Sequence, residues 1–274
     1  MQRPFPIPSP IDDSSAEAAE GANSALTFVL LREARLPDAQ TVQTRLERRL
    51  DGRLEIDSLA SGERSEDGVI LFRIGGGTAA VGLIDAPLPE GEIDDLCAAA
   101  WFWESARVET DRHRAHLAVT VMGSSLDRLD VSLLLTDLVA AVMEDNDNAI
   151  ASYWRAALRP RDMFLEASES ASRTVPPVWL WVDFRFSQSD MGVSLSTDGL
   201  RAYGLRELEV RDAKQPPMEV FDLFADTAAY LIASGPVIED GHTIGASPEL
   251  GIVVHHDKSY WEDGANVYRV VWTK

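Results

Sequence analysis

The sequence predicts an α+β fold: two mixed, largely antiparallel sheet-and-helix halves packed together behind a disordered N-terminal tail. Three observations carry this expectation. Short runs with the period of strands alternate irregularly with longer stretches at helical spacing, and hairpin-like joints outnumber regular strand–helix–strand crossovers. A composition shift over residues 159–176, bounded by Pro160 and Pro176 and rich in serine, divides the chain. The first 24 residues show no apolar mass able to offset the entropy of ordering them. The expected organisation is therefore a tail at 1–24, one half at 25–158 and another at 177–274, forming one compact unit together.

The elements follow in order. In the tail, Pro4, Pro6, Pro8 and Pro10 alternate with Phe5, Ile7 and Ser9, an extended polyproline-like run. With no periodic apolar face to dock, the tail is expected to be dispensable. Residues 25–31 read as a buried strand. Pro37 opens a helix carrying Val42, Leu46 and Leu50 on one face, closed by Asp51-Gly52. Residues 54–59 alternate as a half-buried strand. Residues 69–74 and 78–84 are strands joined by Gly75-Gly76-Gly77, which fits a hairpin turn requiring positive φ. A phosphate cradle would instead lead from a strand into a helix. Residues 93–103 read as a helix, 115–122 as a strand, and 126–143 as a helix apolar nearly all round and hence deep in the fold. Residues 149–157 form the next strand. After the connector, 178–186 alternates as a strand with Trp179 and Trp181 on one face, followed by strands at 192–195 and 205–210. Pro216-Pro217 opens a helix with Val220, Phe221, Phe224, Ala228, Leu231 and Ile232, ended by Gly235-Pro236. Residues 243–272 close the fold as strands with turns at Ser247-Pro248 and Asp263-Gly264.

Composition bounds the function. Of 274 residues, 45% are hydrophobic and 26% charged, as in an ordinary globular chain. A formal charge of -20 repels phosphate backbones and anionic lipid, so the expected partner is another, basic protein, with no nucleic acid and no membrane. The single cysteine, Cys97, excludes an internal disulfide framework and a cysteine-based zinc knuckle. No run approaches the ~20 apolar residues of a membrane span, and the start of the chain lacks a signal-peptide core, so a cytoplasmic location is expected. No cofactor is expected, because the chain has neither a glycine-lysine phosphate loop nor a dinucleotide glycine fingerprint.

Three segments are similar to one family. They are residues 113–123, where His113 and His116 precede an apolar run; residues 148–154, small residues ending in Tyr153-Trp154; and residues 203–209, followed by a helix and Asp240-Gly241-His242-Thr243-Ile244-Gly245. In this order they resemble the uncharacterised bacterial family called domain of unknown function 4261. The resemblance runs from about residue 25 to residue 272, with His242 standing where the family pattern implies an acid or another polar residue. It implies no activity, cofactor or catalytic residue.

The candidate chemistry is correspondingly sparse. His255-His256-Asp257 with His242 is the one metal suspect. Neighbours on a strand point to opposite faces, so His255 and Asp257 share a face while His255 and His256 do not. The plainer reading is of solvated histidines at a hairpin end. His113 and His116 lack the glutamate of a zincin, having Arg114 in its place, and His116 reads as a hydrogen-bonded side chain opening a core strand. Residues 144–148 fail as a calcium loop because Ala149, Ile150 and Ala156 occupy the ligand, glycine and bidentate positions. Glu219, Asp222 and Asp226 form a helical carboxylate stripe on a solvated face. Gly123-Ser124-Ser125 lacks the second glycine of a nucleophile elbow, and Cys97 lies on an apolar face.

The tryptophans carry more. Trp101, Phe102 and Trp103 are consecutive, so on a helix they spread over about 200° and do not all face one core. Trp261 sits beside Tyr260 near the last turn. Trp101, Trp103 and Trp261 are accordingly the partner-binding candidates, with no catalytic residue assigned. Two readings compete: a non-enzymatic, adaptor or immunity-like interaction module with an acidic surface, and a metal-assisted hydrolase using His242, His255 and Asp257. The incompleteness of every catalytic set favours the first.

Overall fold

The structure, a computed structural model, describes residues 24–56, 63–64, 68–123, 125–144, 146–245 and 251–273. The expected tail, apart from Ser24, lies outside the described residues, as do residues 57–59 of the strand expected at 54–59 and the Ser247-Pro248 turn; of residues 54–56 only Ile56 pairs, in an isolated bridge to Ile74. The chain divides into two compact units, the first ending at Asp183 and the second beginning at Phe184.

The first unit is built on a seven-stranded sheet ordered β2-β3-β4-β5-β1-β6-β7, every pair antiparallel. Its strands are β1 (Ala25–Leu31), β2 (Glu63–Arg64), β3 (Val69–Ile74), β4 (Gly77–Ile84), β5 (Ala115–Met122), β6 (Ala149–Trp154) and β7 (Ala157–Pro160). The β3–β4 hairpin turns on Gly75 and Gly76 at φ of 58° and 77°, as the glycine run predicts. One face of the sheet is dry: Val29, Leu31, Leu117, Val119, Val121, Val81, Phe72 and Ile70 are all buried. Against it lies α4 (Arg128–Met143), flanked by α1 (Ala39–Leu50) and α5 (Arg161–Glu169). Enclosure on several sides explains why α4 is apolar nearly all round. The two polar residues that interrupt its apolar run from Leu133 to Met143 have partners. Thr136 accepts the indole N–H of Trp181 at 2.9 Å, and Asp137 pairs with Arg49 near the end of α1 at 3.3 Å and with Arg53 just beyond it at 2.7 Å. The other face is covered on the β1–β6–β7 side by α2 (Asp94–Ala99) and α3 (Ala106–Thr110), with Ile93, Trp103 and Ala106 packed on Leu30, Ala151 and Tyr153.

Four local expectations differ from the structure. The connector at 159–176 contains α5, which presents Phe164 and Ser168 inward, one turn apart. The alternation at 178–186 begins as the single-turn helix α6 (Val178–Trp181), so Trp179 and Trp181 do not share a strand face. The helix expected at 93–103 stops at Ala99, and 149–157 is a hairpin rather than one strand, turning at Arg155 with φ of 51°.

The second unit holds a five-stranded sheet ordered β11-β12-β10-β9-β8. Its strands are β8 (Asp183–Ser189), β9 (Gly192–Asp198), β10 (Glu207–Ala213), β11 (Ile252–Lys258) and β12 (Asn266–Trp272). β10 and β12 run parallel, and the crossover between them includes α7 (Pro217–Ser234). Phe221 of α7 packs on Phe184 and Phe186, with ring centroids 5.1 and 6.2 Å apart, while Val220, Phe224, Ala228 and Leu231 are buried. Glycine is obligatory at position 192: its φ is +136°, and a Cβ there would lie 2.4 Å from the carbonyl oxygen of Ala213. No helix among the described residues is long and apolar enough to cross a membrane.

Candidate functional site

The metal candidates are not brought together. His242 lies in the turn after Asp240, where its Nδ1 accepts from the Glu239 N–H at 3.2 Å. Exposed His255 approaches Asp240 at 3.5 Å, and Asp257 is tied to Arg269 on the neighbouring strand. Each side chain thus has a different partner. Among the described residues no three His, Cys, Asp or Glu side chains are grouped to hold a metal ion. The unit's third histidine, His256, has its Nε2 2.9 Å from the Ile238 carbonyl, and its ring meets Tyr268 edge-on. This is the hairpin-end arrangement that strand periodicity favours.

The other candidates are structural in the same way. His116 is buried, holds the Ala86 carbonyl at 2.8 Å through Nδ1, and meets Phe28 edge-on at 5.3 Å. Burial lowers its pKa below the usual imidazole range. The His113 Nε2 accepts from the Leu88 N–H at 2.9 Å. In the 144–148 segment, Asn148 clamps the backbone of Glu33 through both ends of its amide, at 2.8 and 2.9 Å, and Asn146 bonds back to the Val142 carbonyl. Asp145 and Ser124 lie outside the described residues. Glu219, Asp222 and Asp226 are exposed along α7, as their stripe predicts. Cys97 packs at the edge of the α2–α3 cluster, and burial raises its thiol pKa.

The aromatic run is more distinctive. Because α2 ends at Ala99, residues 101–103 form turns, and their rings separate by backbone course rather than by helical angle. Trp103 is only 8% exposed; it packs in the core, with its indole N–H on Glu109 at 3.2 Å. Its place among the partner-binding candidates rested on a helix that is absent there. Trp101 is 44% exposed and meets Phe102 and Trp179 edge-on at 5.7 and 5.8 Å. Beneath them lies Arg159, its Cζ 4.8 Å from the Phe102 ring centre and 4.5 Å from that of Trp179. The guanidinium donates to the carbonyls of Trp179, Leu158 and Val182 at 2.6, 2.9 and 2.8 Å, and faces Asp183 at 3.6 Å. Complete burial pushes the Arg159 pKa down to about 10. Nothing in the sequence marks Arg159, since an arginine on a strand ordinarily reads as an outward-facing charge. The result is an aromatic platform on a buried cation, with one indole facing solvent.

Trp261 lies on the loop after β11, half-buried and edge-on to Tyr260 at 5.6 Å. Tyr260 in turn covers Arg269 at 4.0 Å, with Arg211 at 5.5 Å. Two buried carboxylates organise this end of the sheet. Glu209 accepts from the Ser259 hydroxyl and from the Tyr260 N–H at 2.8 Å. Glu207 accepts from Thr197 Oγ1 at 2.7 Å and from the N–H groups of Gly199 and Arg201 at 3.1 and 3.0 Å. Burial nonetheless raises the Glu207 pKa. Alternation with Leu208 and Val210 puts both acids on one strand face, but gives no sign that this face is covered.

Two shallow clefts lie elsewhere. One of about 260 Å³ includes Arg32, Glu109, Asp147, Arg161 and Asp162. The other, of about 320 Å³, includes Ser189, Asp190, Lys214 and Gln215. Neither is lined by a histidine or by any of the three candidate tryptophans.

Residues 196–271 match the family model described as Domain of unknown function (DUF4261), in accord with the resemblance read from the sequence. The match lies within the second unit. It takes in Glu207, Glu209, His242, His255, Asp257 and Trp261, and leaves Trp101, Trp103 and the segments 113–123 and 148–154 outside. No curated protein and no solved structure matches the chain.

Proposed function

We propose that this protein is a non-enzymatic interaction module, of the adaptor or immunity-like kind, which recognises a basic protein partner. The observation that carries the reading is the exposed Trp101 held edge-on by Phe102 and Trp179 over buried Arg159. A large ring fixed before association loses little freedom on binding, and such rings dominate interface energies. The formal charge of -20 supplies the long-range part, steering a cationic partner. Trp261 is the second candidate anchor. The separation of His242, His255 and Asp257 gives the hydrolase reading no support of its own.

The test is capture of partners from an extract of the source organism, followed by association kinetics. A genuine partner should associate more slowly as ionic strength rises until the screening length falls to about 8–10 Å. Trp101→Ala should raise its dissociation rate about 30-fold, equivalent to about 2 kcal/mol. Tyr230→Ala, an exposed ring on α7, serves as the neutral control. Binding indifferent to both salt and Trp101→Ala would refute the reading.

A further inference from the structure

The negative charge of the chain is not spread evenly. Residues 85–111, which carry α2, α3 and the Trp101 turn, hold eight acids and one base, a net charge of -7 against -20 for the whole chain. The base, Arg107, is taken up by Asp94 and, at 3.0 Å, by Asp111. Asp85, Glu90, Asp95 and Glu104 are exposed and have no hydrogen-bond or ion-pair partner among the described residues. Glu104 is three residues beyond Trp101, and α2, six residues and thus about 9 Å long, spaces Asp95 from the indole. Charges at separations of that order are only partly screened at physiological ionic strength. The other candidate anchor has the opposite surroundings. Arg269 and Arg211 lie over Tyr260, the neighbour of Trp261, and Arg201 pairs with Glu262 on its other side.

We infer, on the premise that Trp101 is the anchor, that the partner presents an arginine-rich segment to it, with a guanidinium over the indole and the carboxylates of the α2–α3 region around it. An exposed indole is the best side-chain face for a cation. A guanidinium is planar and weakly hydrated, so it stacks on a ring while its fork of N–H groups engages a carboxylate; the ammonium of lysine is a hydrated point charge that does neither as well. The platform already holds this pairing once within the chain, in Arg159 packed on Phe102 and Trp179 at 4.8 and 4.5 Å. Asp95 and Glu104 give up no bond within the chain when a cation arrives, whereas Asp94 would have to release Arg107. Local charge thus enters the contact itself, where net charge alone would set only the rate of encounter. The arginines around Trp261 would repel the same segment.

The probe is a short fluorescein-labelled peptide of alternating arginine and glycine, with its lysine counterpart, titrated with the full chain and followed by anisotropy. The arginine peptide should bind, and the lysine peptide about threefold or more weakly. Asp95→Asn/Glu104→Gln should weaken the arginine peptide about fivefold, and Trp101→Ala about tenfold. Asp222→Asn/Asp226→Asn, the same loss of charge on α7, and Trp261→Ala should each change it less than about twofold. Glu104→Gln alone, outside α2 and α3, repeats the comparison against Asp226→Asn in case Asp95→Asn disturbs α2. No binding of the arginine peptide, equal binding of the lysine peptide, or equal effects of the two charge pairs would overturn the inference. The captured partner separates it from its premise. A partner weakened by Trp101→Ala but indifferent to Asp95→Asn/Glu104→Gln would remove this inference and leave the anchor standing, and indifference to Trp101→Ala would remove both.

Discussion

Glu207 shows how much a single side chain can organise. Its two oxygens hold Thr197, Gly199 and Arg201, fixing the turn between β9 and β10, yet its charge is buried. Desolvation raises the folded-state pKa above the unfolded value near 4.5. The folded state therefore binds more protons than the unfolded state between those two values. This contribution to stability is fully present below the unfolded pKa and is lost as pH rises through the folded one. Glu207→Gln removes the titration while keeping an acceptor. Lowering pH from 7 toward 5 should thus stabilise the native protein relative to the glutamine variant, by urea midpoints read at each pH. A stability difference that does not change with pH would contradict the account. The sequence shows the strand here but not this burden, because strand alternation does not record that the preceding turn folds the Gly199 and Arg201 N–H groups onto this carboxylate.

At the scale of elements, legibility followed whether a signal was local. The β3–β4 hairpin, α1 with its buried Val42, Leu46 and Leu50 and left-handed Asp51, and α7 opening at Pro217 all rest on residues within one or two turns of each other, although Asp38 caps α1 and Pro37 precedes the helix rather than opening it. Among the elements that escaped, α5 and α6 are short, and their partners are remote: Ser168 accepts from Arg49, and Trp181 from α6 donates to Thr136 in α4. Local composition cannot record such partners. The end of α7 was legible, with one refinement. Gly235 caps the helix, its N–H on the Leu231 carbonyl at 2.8 Å, but at φ 84° and ψ -168°, beyond the ordinary left-handed well. That region is essentially glycine's alone. Gly235→Val should therefore cost about 1–3 kcal/mol in chemical denaturation, and a neutral result would place the helix end elsewhere.

At the scale of the molecule, the family match and the structural unit have different borders. The match begins at residue 196, inside β9, whereas the second unit begins at Phe184 and includes β8. β8 supplies Phe184 and Phe186, which pack on Phe221 of α7. A fragment starting at Asp183 should unfold cooperatively in urea, while one starting at Ser196 should lose that cooperativity, having neither β8 nor the first part of β9. Equal cooperativity of the two would make β8 an accessory. The sheet order has a further consequence. β12, the last strand of its sheet in chain order, is an inner one, seated between β10 and β11. Vectorial synthesis therefore delivers both neighbours before the strand that joins them, and each waits with an unpaired edge facing it. The second unit cannot close before β12 has emerged. Its assembly belongs to the moment after Trp272 clears the ribosome, and any agent that shields nascent strands would act on it during that interval.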